Sequence, residues 1–186
     1  MNVTIIGTGN MARGIGMRLV AGGHDVTVLG KETAAAEDVV RDLGGDGSAK
    51  AAVEQYGDGL AGKVLIDITN PVNETFDGLV TPPDGSAAQE LAASAGGAKV
   101  VKAFNTTFAP TLGDGKVAGQ PLDVFVAGDD EEAKATVSKL AADGGLNPID
   151  VGPLKRAREL EAMGLLHMTL QGSLGTGFSS AIKILA

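Results

Sequence analysis

The sequence contains no cysteine or tryptophan, one tyrosine and two histidines among its 186 residues. Without cysteine the chain cannot form a disulfide framework, a thiolate metal site or a thiol nucleophile. Two histidines supply too few ligands for a zinc centre, so we expect no metal. Few aromatic residues and a net charge of −8 leave neither a stacking platform nor a basic patch. We therefore expect no nucleic-acid partner.

Long hydrophobic runs and a basic leader are also missing. No apolar run approaches the roughly 18 residues that a membrane span needs. The first six residues, MNVTII, lack the basic start of a signal peptide. The hydrophobic content of 44% is typical of a folded globular chain. We therefore expect a cytoplasmic protein with no membrane contact.

Strand and helix patterns alternate along the first third of the chain. Residues 3–6 and 25–29 are short runs rich in β-branched residues, which favours buried strands. Helical spacing predicts helices over Asn10–Ala21 and over residues 33–43, the second capped by Thr33. Short links between such elements predict parallel strands with right-handed crossovers.

The same alternation continues to the C-terminus and predicts an α/β fold with a Rossmann-like, doubly wound, mostly parallel sheet. We divide the chain into a dinucleotide-binding domain, residues 1–152, and a C-terminal helical segment packed on it, residues 153–186. Residues 44–62 show only one weak helical stretch, residues 49–56. Further strands are predicted at 64–67, 99–104, 122–127 and 148–151, and helices at 86–95, 129–143 and 154–174.

A glycine-rich motif follows the first strand directly. Its sequence, GTGNMA, matches the dinucleotide-binding pattern G-x-G-x-x-G/A and opens a helix. The first glycine allows the tight turn, the second lets the backbone approach a pyrophosphate, and the final alanine permits close helix packing. Backbone N–H groups at the helix start then face the anion. The predicted cofactor-binding residues here are Gly7, Thr8, Gly9, Asn10, Met11 and Ala12.

The end of the second strand favours NADP(H) over NAD(H). An acidic residue usually holds the ribose 2′-hydroxyl of NAD at this place, but this chain has Gly30 followed by Lys31. A small residue and a cation leave room and charge for a 2′-phosphate, and Thr33 adds a hydroxyl. Glu32 is evidence against this interpretation if its side chain turns inward.

Two later loops are candidates for the nicotinamide site. Asn70 and Pro71 follow one predicted strand, and Phe104 and Asn105 end another. Loops at the carboxyl ends of strands line the ligand crevice of a doubly wound sheet. Ordinary turn chemistry explains the same residues equally well.

The histidines and methionines have simpler interpretations. His24 lies in a glycine-rich turn, so we expect it at the surface. His167 lies on an apolar stretch, and we expect a packed or interfacial side chain rather than a catalytic one. Met163 and Met168 on the same stretch are expected in the core or a dimer contact rather than on a cofactor surface.

With these residues in place, the chain resembles the NADPH-dependent coenzyme F420 reductases. It is also similar to the cytosolic NADPH-binding domain of the six-transmembrane metalloreductases. The likeness covers most of the chain, and its later segments are more specific than the glycine-rich motif. The segments that carry it are residues 7–10 (GTGN), 102–106 (KAFNT), 126–130 (VAGDD), 150–154 (DVGPL) and 159–161 (ELE).

The resemblance implies an NADPH-dependent oxidoreductase, often a homodimer, that transfers a hydride between NADPH and a deazaflavin (coenzyme F420) or flavin. Ring positioning supplies most of such catalysis, so no catalytic side chain is assigned. The C-terminal segment is implied at the acceptor side or a dimer contact. By position, Thr8, Gly9, Asn10 and Met11 would hold the pyrophosphate, Lys31 and Thr33 the 2′-phosphate, and Asn70, Pro71, Phe104 and Asn105 would border nicotinamide and acceptor.

The chain departs from the family pattern in two places. Relatives carry Ser-Arg after the second strand, where this chain has Lys31, which weakens NADP selectivity. Relatives also have another apolar strand before the strand at Val64–Asp67, and none is recognisable between Leu43 and Gly62. Because the loss of a central strand would expose the core, we expect a stretch to be omitted there.

Other functions remain open at this point. One alternative is an NADPH-dependent flavin or ferric reductase, and another is a redox-sensing NADP(H)-binding module without turnover. Pyrroline-5-carboxylate reductase shares the glycine-rich motif but needs a longer helical dimer domain than the 35 or so residues after Val151. A short-chain dehydrogenase needs Tyr-x-x-x-Lys, and Leu60 stands four residues after the lone Tyr56.

Overall fold

A computed structural model describes residues 1–43, 48–51 and 57–185 of the chain. Two single 3-10 turns lie at Gly57–Leu60 and Leu154–Arg156. The helices are α1 (Asn10–Ala21), α2 (Thr33–Asp42), α3 (Ala87–Ser94), α4 (Ala109–Leu112), α5 (Glu131–Asp143) and α6 (Ala157–Leu174). The strands are β1 (Asn2–Ile6), β2 (Asp25–Gly30), β3 (Ser48–Ala51), β4 (Val64–Asp67), β5 (Lys99–Lys102), β6 (Lys116–Val117), β7 (Gln120–Pro121), β8 (Asp123–Gly128) and β9 (Asn147–Gly152).

The strands form a largely parallel α/β architecture, as predicted. The first sheet has the order β1-β2-β3 and is entirely parallel. The second has the order β4-β5-β8-β9, with a single antiparallel pairing between β5 and β8. The short strands β6 and β7 form a separate hairpin. Ile15 of α1 and Ile66 of β4 pack against hydrophobic clusters of both sheets, so the two sheets share one core.

Strand β3 corrects the expectation for the region after α2. Residues Ser48–Ala51 pair in parallel with β2, so the prediction that no strand lies between Leu43 and Gly62 is wrong. The reason to expect an omitted stretch disappears with it. The predicted helix over 49–56 is wrong at 49–51, and residues 52–56 lie outside the described residues. The sequence SAKA has no β-branched or aromatic residue, and pairing with β2 supplies what local propensity does not.

Two smaller expectations near the N-terminus are also wrong. Glu32, not Thr33, occupies the cap position before α2, and its side chain makes no capping hydrogen bond. His24 is buried rather than exposed. Its Nδ1 lies 3.2 Å from the Met1 amino nitrogen and its Nε2 lies 3.2 Å from an Asp143 carboxylate oxygen. The glycine turn before His24 folds its backbone onto α1, which carries the ring inward.

Helix α6 packs on the second sheet. Leu160 lies in a buried cluster with two residues of β8, Phe125 and Ala127. Three leucines of α6, Leu166, Leu170 and Leu174, are exposed. The homodimer contact expected for the C-terminal segment stays a prediction. Within the described parts of the chain, no helix is both long and apolar enough to span a membrane.

Candidate functional site

The glycine-rich turn between β1 and α1 has an open backbone surface. Gly7 has a φ of +120° and donates its N–H to the carbonyl of Leu29 at 2.8 Å, which ties the turn to the end of β2. Gly9 caps α1 in an extended conformation. A Cβ built on either glycine meets no heavy atom of the described chain within 4 Å. Because the first N–H groups of a helix have no intrahelical partners, this surface fits a phosphate group.

Arg13 fixes this turn in a way that the motif does not reveal. Its guanidinium donates to the carbonyl of Thr8 at 2.8 Å and to the carboxylate of Asp42 at 2.7 Å. The first turn of α1 carries no acidic residue. The turn is therefore held against α2, and α1 itself contributes no carboxylate to its anion-binding end.

The end of β2 has no room for the acidic residue that NAD-binding sites use. Gly30 is buried, and a Cβ there would lie 2.7 Å from the methyl group of Thr8. Lys31, Glu32 and Thr33 follow it and are all exposed. The structure therefore places one cation, one carboxylate and one hydroxyl directly after Gly30, which lies beside Thr8 of the glycine-rich turn.

A pocket of about 350 Å³ opens where α1 begins. It lies between the start of α1, the segments after β4 and β5, α6 and the residues after α6. Its polar lining residues are Asn10, Asn70, Asn105 and Thr107, and its larger apolar ones are Met11, Ile68, Phe104, Phe108, Pro110, Met168 and Phe178.

The pocket unites five of the predicted site residues: Asn10, Met11, Asn70, Phe104 and Asn105. The other eight predicted residues do not line it. Pro71 instead shapes the neighbouring loop, because its carbonyl accepts the N–H of Val80 at 2.8 Å. Those outside the lining are Gly7, Thr8, Gly9, Ala12, Gly30, Lys31, Thr33 and Pro71.

Asn70 and Asn105 form a pair of mutually bonded side chains. Asn70 donates to the backbone carbonyl of Asn105 at 2.7 Å, and Asn105 donates to Asn70 Oδ1 at 2.9 Å and to the carbonyl of Leu160 at 2.8 Å. Gly164 makes room for the pair, because any Cβ there would collide with Asn70 Oδ1. Phe104, with a φ of +63°, adopts a left-handed conformation that turns the chain sharply after β5.

A buried ion cluster lies in the strands and helices that carry the pocket-lining segments. The Lys102 ammonium lies 2.8 Å from Asp67, 3.0 Å from Glu161 and 2.6 Å from the carbonyl of Thr69. The Glu161 carboxylate also accepts the N–H groups of Ala87 and Ala88 at the start of α3. The lysine and both carboxylates are almost fully buried. The cluster therefore joins β4, β5, α3 and α6 next to the segments that line the pocket.

His167 is packed, as predicted. Its ring stacks on Phe108 with a centroid separation of 4.2 Å, and its nitrogens contact the carbonyl of Thr106 and the hydroxyl of Ser180. Burial lowers the pKa of His167, and the hydrogen bond to Thr106 offsets only part of this effect. Met163 packs in a core cluster, but Met168 lines the pocket, so the prediction for Met168 is wrong.

The C-terminal strap, which we define as residues 175–185, supplies the last wall of the pocket. The sequence places these residues in a helical segment at the acceptor side or a dimer contact, but the strap is not helical, and no periodicity marks it as a pocket wall. Gly177 and Phe178 of the strap line the pocket. Further along, Lys183 and the Ile184 N–H bind the buried carboxylate of Asp123. Burial raises the pKa of Asp123, but its hydrogen bonds, including those from Lys183 and the Ile184 amide, outweigh burial and lower it overall.

Comparison with known proteins identifies relatives of this chain. Residues 2–57 match the family model described as NADP oxidoreductase, coenzyme F420-dependent. An F420-dependent NADP reductase from Methanocaldococcus jannaschii is 34% identical over 137 residues, which cover 68% of this chain and 60% of the relative. The chain is related to the F420-dependent NADP oxidoreductases. The resemblance predicted from the sequence is therefore confirmed.

The relationship to F420-dependent NADP oxidoreductases also appears in three dimensions. The crystal structure of a protein from Arthrobacter sp. FB24, assigned as an F420-dependent NADP reductase, superposes with a TM-score of 0.75 at 26% identity. The superposition covers 98% of both chains and confirms the Rossmann-like fold. The metalloreductase STEAP3 of Rattus norvegicus is 34% identical over 181 residues, which are 88% of this chain. The chain spans only 36% of that relative's length.

Proposed function

We propose that the chain is an NADPH-dependent oxidoreductase that transfers a hydride to a deazaflavin or flavin ring. The observation that carries the proposal is that the glycine-rich turn and the pocket adjoin each other. Asn10 and Met11 start the helix at the open glycine-rich turn, and the same two residues line the pocket. A dinucleotide whose phosphates bind at that turn can thus extend its nicotinamide into the pocket.

The residues present fit NADPH. Gly9 leaves the space into which a Cβ would project, and the N–H groups at the start of α1 would bind the pyrophosphate there. Lys31 and Thr33 would meet the 2′-phosphate. When bound, NADPH supplies a hydride, and the acceptor takes it with one solvent proton, so that NADPH + A + H⁺ gives NADP⁺ + AH₂. Asn70, Phe104 and Asn105 would orient the rings.

The lining of the pocket favours a planar ring as acceptor. None of its lining residues within the described chain carries a charge. A ferric chelate with negative charge would find no cation here, whereas a planar ring finds an apolar lining that includes the half-exposed Phe178. The relationship to a metalloreductase keeps ferric reduction as an alternative, which a comparison of acceptors separates.

The pocket also favours an enzyme over a redox-sensing NADP(H)-binding module. A sensor needs the glycine-rich turn but no acceptor site. A pocket of about 350 Å³ lies within the usual size range for small-molecule sites, about 300–1,000 Å³, and borders the start of α1. Within this proposal, the C-terminal segment contributes the acceptor side through Met168 and Phe178. A homodimer through α6 and a cytoplasmic location remain parts of the proposal.

Lys31→Ala should weaken NADPH binding about five- to tenfold and leave NADH binding within twofold of the parent chain. The expected loss reflects one partly screened charge contact to the 2′-phosphate, on the order of 1 kcal/mol. Binding is measured by titration with each nucleotide, using the intrinsic fluorescence of the reduced nicotinamide. Higher salt should reduce the difference in NADPH affinity between the parent chain and Lys31→Ala.

Lys63→Ala is the matched control for Lys31→Ala. Lys63 is also exposed, but it precedes β4 and so lies at the amino end of the parallel strands. Its removal changes the net charge equally and should leave the affinity for both nucleotides unchanged. Equal losses of NADPH affinity in the two variants, or equal losses for NADPH and NADH, would contradict the role given to Lys31.

A further inference from the structure

Phe178 stands at the outer side of the pocket with its side chain only partly covered. Its ring meets the ring of Phe108 edge-on, with a centroid separation of 5.0 Å and an interplanar angle of 84°. Phe108 in turn stacks on His167. Yet Phe178 remains 45% exposed, whereas Phe108 is buried. A large aromatic side chain that lines a pocket and is half open can gain further burial from a ligand.

The strap holds Phe178 in place from both sides. On the near side, Thr176 and Ser180 both donate to Gln171 Oε1 of α6. On the far side, Lys183 binds the buried Asp123. These hydrogen bonds and the ion pair fix the backbone of the strap without covering the Phe178 ring.

The backbone conformation directs the Phe178 side chain. Phe178 has a φ of +64°, in the left-handed backbone region that residues other than glycine rarely adopt. Gly175 and Gly177 are left-handed as well, with φ values of +63° and +56°. The strap contacts offset the conformational strain of this turn, and the turn places the Phe178 ring at the wall of the pocket. Strain of this kind concentrates where a side chain has a role.

We propose that Phe178 is a specificity-determining residue for the hydride acceptor. Its ring forms the outer aromatic wall against which a planar acceptor ring packs. It selects for ring acceptors over small redox agents and has little effect on NADPH. This inference rests on the proposed function, because it assigns Phe178 to the acceptor side of that same site.

Phe178→Ala is the direct test, with Phe76→Ala as its matched control. Phe76 has a φ of +57° and is 52% exposed, like Phe178, but it does not line the pocket. Acceptor binding is measured without turnover, by titrating oxidised coenzyme F420, and separately riboflavin, into the chain saturated with NADP⁺. We expect the dissociation constant of the ring to rise about tenfold in Phe178→Ala, from the loss of one aromatic contact, and to stay within twofold in Phe76→Ala.

Two further readouts separate a specific role from general damage. NADPH affinity should remain within twofold in Phe178→Ala, and the melting temperature of the free protein should not fall. Lys183→Ala removes the ion pair between the strap and Asp123. It should therefore weaken ring binding, as Phe178→Ala does, and increase cleavage of the strap by a protease.

The outcomes distinguish this inference from the proposed function. Equal ring affinity in Phe178→Ala and Phe76→Ala, or an equal loss of ring affinity and NADPH affinity in Phe178→Ala, would overturn the role of Phe178 alone. So would a strap that is loosened by Lys183→Ala without any effect on ring binding. A parent chain that binds neither NADPH nor a ring acceptor would overturn the proposed function itself.

Discussion

Gly9→Ala should lower NADPH affinity by about 30-fold or more, roughly 2 kcal/mol, while the melting temperature of the free protein stays unchanged. Gly9 has a φ of −77°, which alanine adopts without strain, and a new Cβ would meet no atom of the described chain within 4 Å. The methyl group would therefore occupy only the space reserved for the pyrophosphate. Nucleotide titration and thermal unfolding measure the two effects separately.

Two other glycines provide the controls for Gly9→Ala. Gly172→Ala adds a methyl group on the exposed side of α6, also into open space, and should affect neither property adversely. Gly7→Ala is expected to destabilise the fold, because Gly7 has a φ of +120° that alanine rarely adopts. Undiminished NADPH affinity in Gly9→Ala would mean that the glycine-rich turn is purely structural.

Lys102→Met should have the largest effect on stability, a loss of about 3–5 kcal/mol in the free energy of unfolding. Methionine preserves most of the stem volume but removes the one cation that, among the described residues, is bonded to Asp67 and Glu161. Two buried carboxylates are then left without a counter-charge, and the backbone N–H groups that bond them offset only part of the cost. Chemical denaturation of the free protein measures the loss, with the denaturant midpoint compared at constant slope.

Lys134→Met is the matched control for Lys102→Met. The Lys134 side chain is also nearly buried, but its partners Glu131 and Asp150 are exposed to solvent. Water can compensate those carboxylates, so the expected cost is at most about 1 kcal/mol. Similar losses for the two lysines would contradict the special position of the cluster that joins β4, β5, α3 and α6.

The elements with strong local signals were predictable. Helix α1 begins and ends where its apolar spacing and the following glycines indicate, and the glycine-rich turn has the strand-turn-helix context that its motif requires. Strand β3 gave no such signal. Its four residues, SAKA, become a strand through pairing with β2, which is a non-local contact that no window of sequence contains.

The site was predictable only in part, for a similar reason. Asn70 and Asn105 were found as loop residues after strands, but their pairing depends on Gly164, which is distant in sequence and appears there only as a weak point in a helix. Phe178 lies in a strap without periodicity, and its place in the pocket depends on contacts with Gln171 and Asp123. Tertiary contacts, rather than local propensity, bring these side chains together.

Single-turnover mixing tests the central claim most directly. The chain is saturated with NADPH that carries deuterium at the transferable position of nicotinamide C4, and is then mixed with oxidised coenzyme F420 or riboflavin. The account predicts that the absorbances of NADPH and acceptor fall together, more slowly than with unlabelled NADPH, and that deuterium appears in the reduced deazaflavin. NADPH that binds but transfers no hydride to either ring, or that does not bind at all, would contradict it.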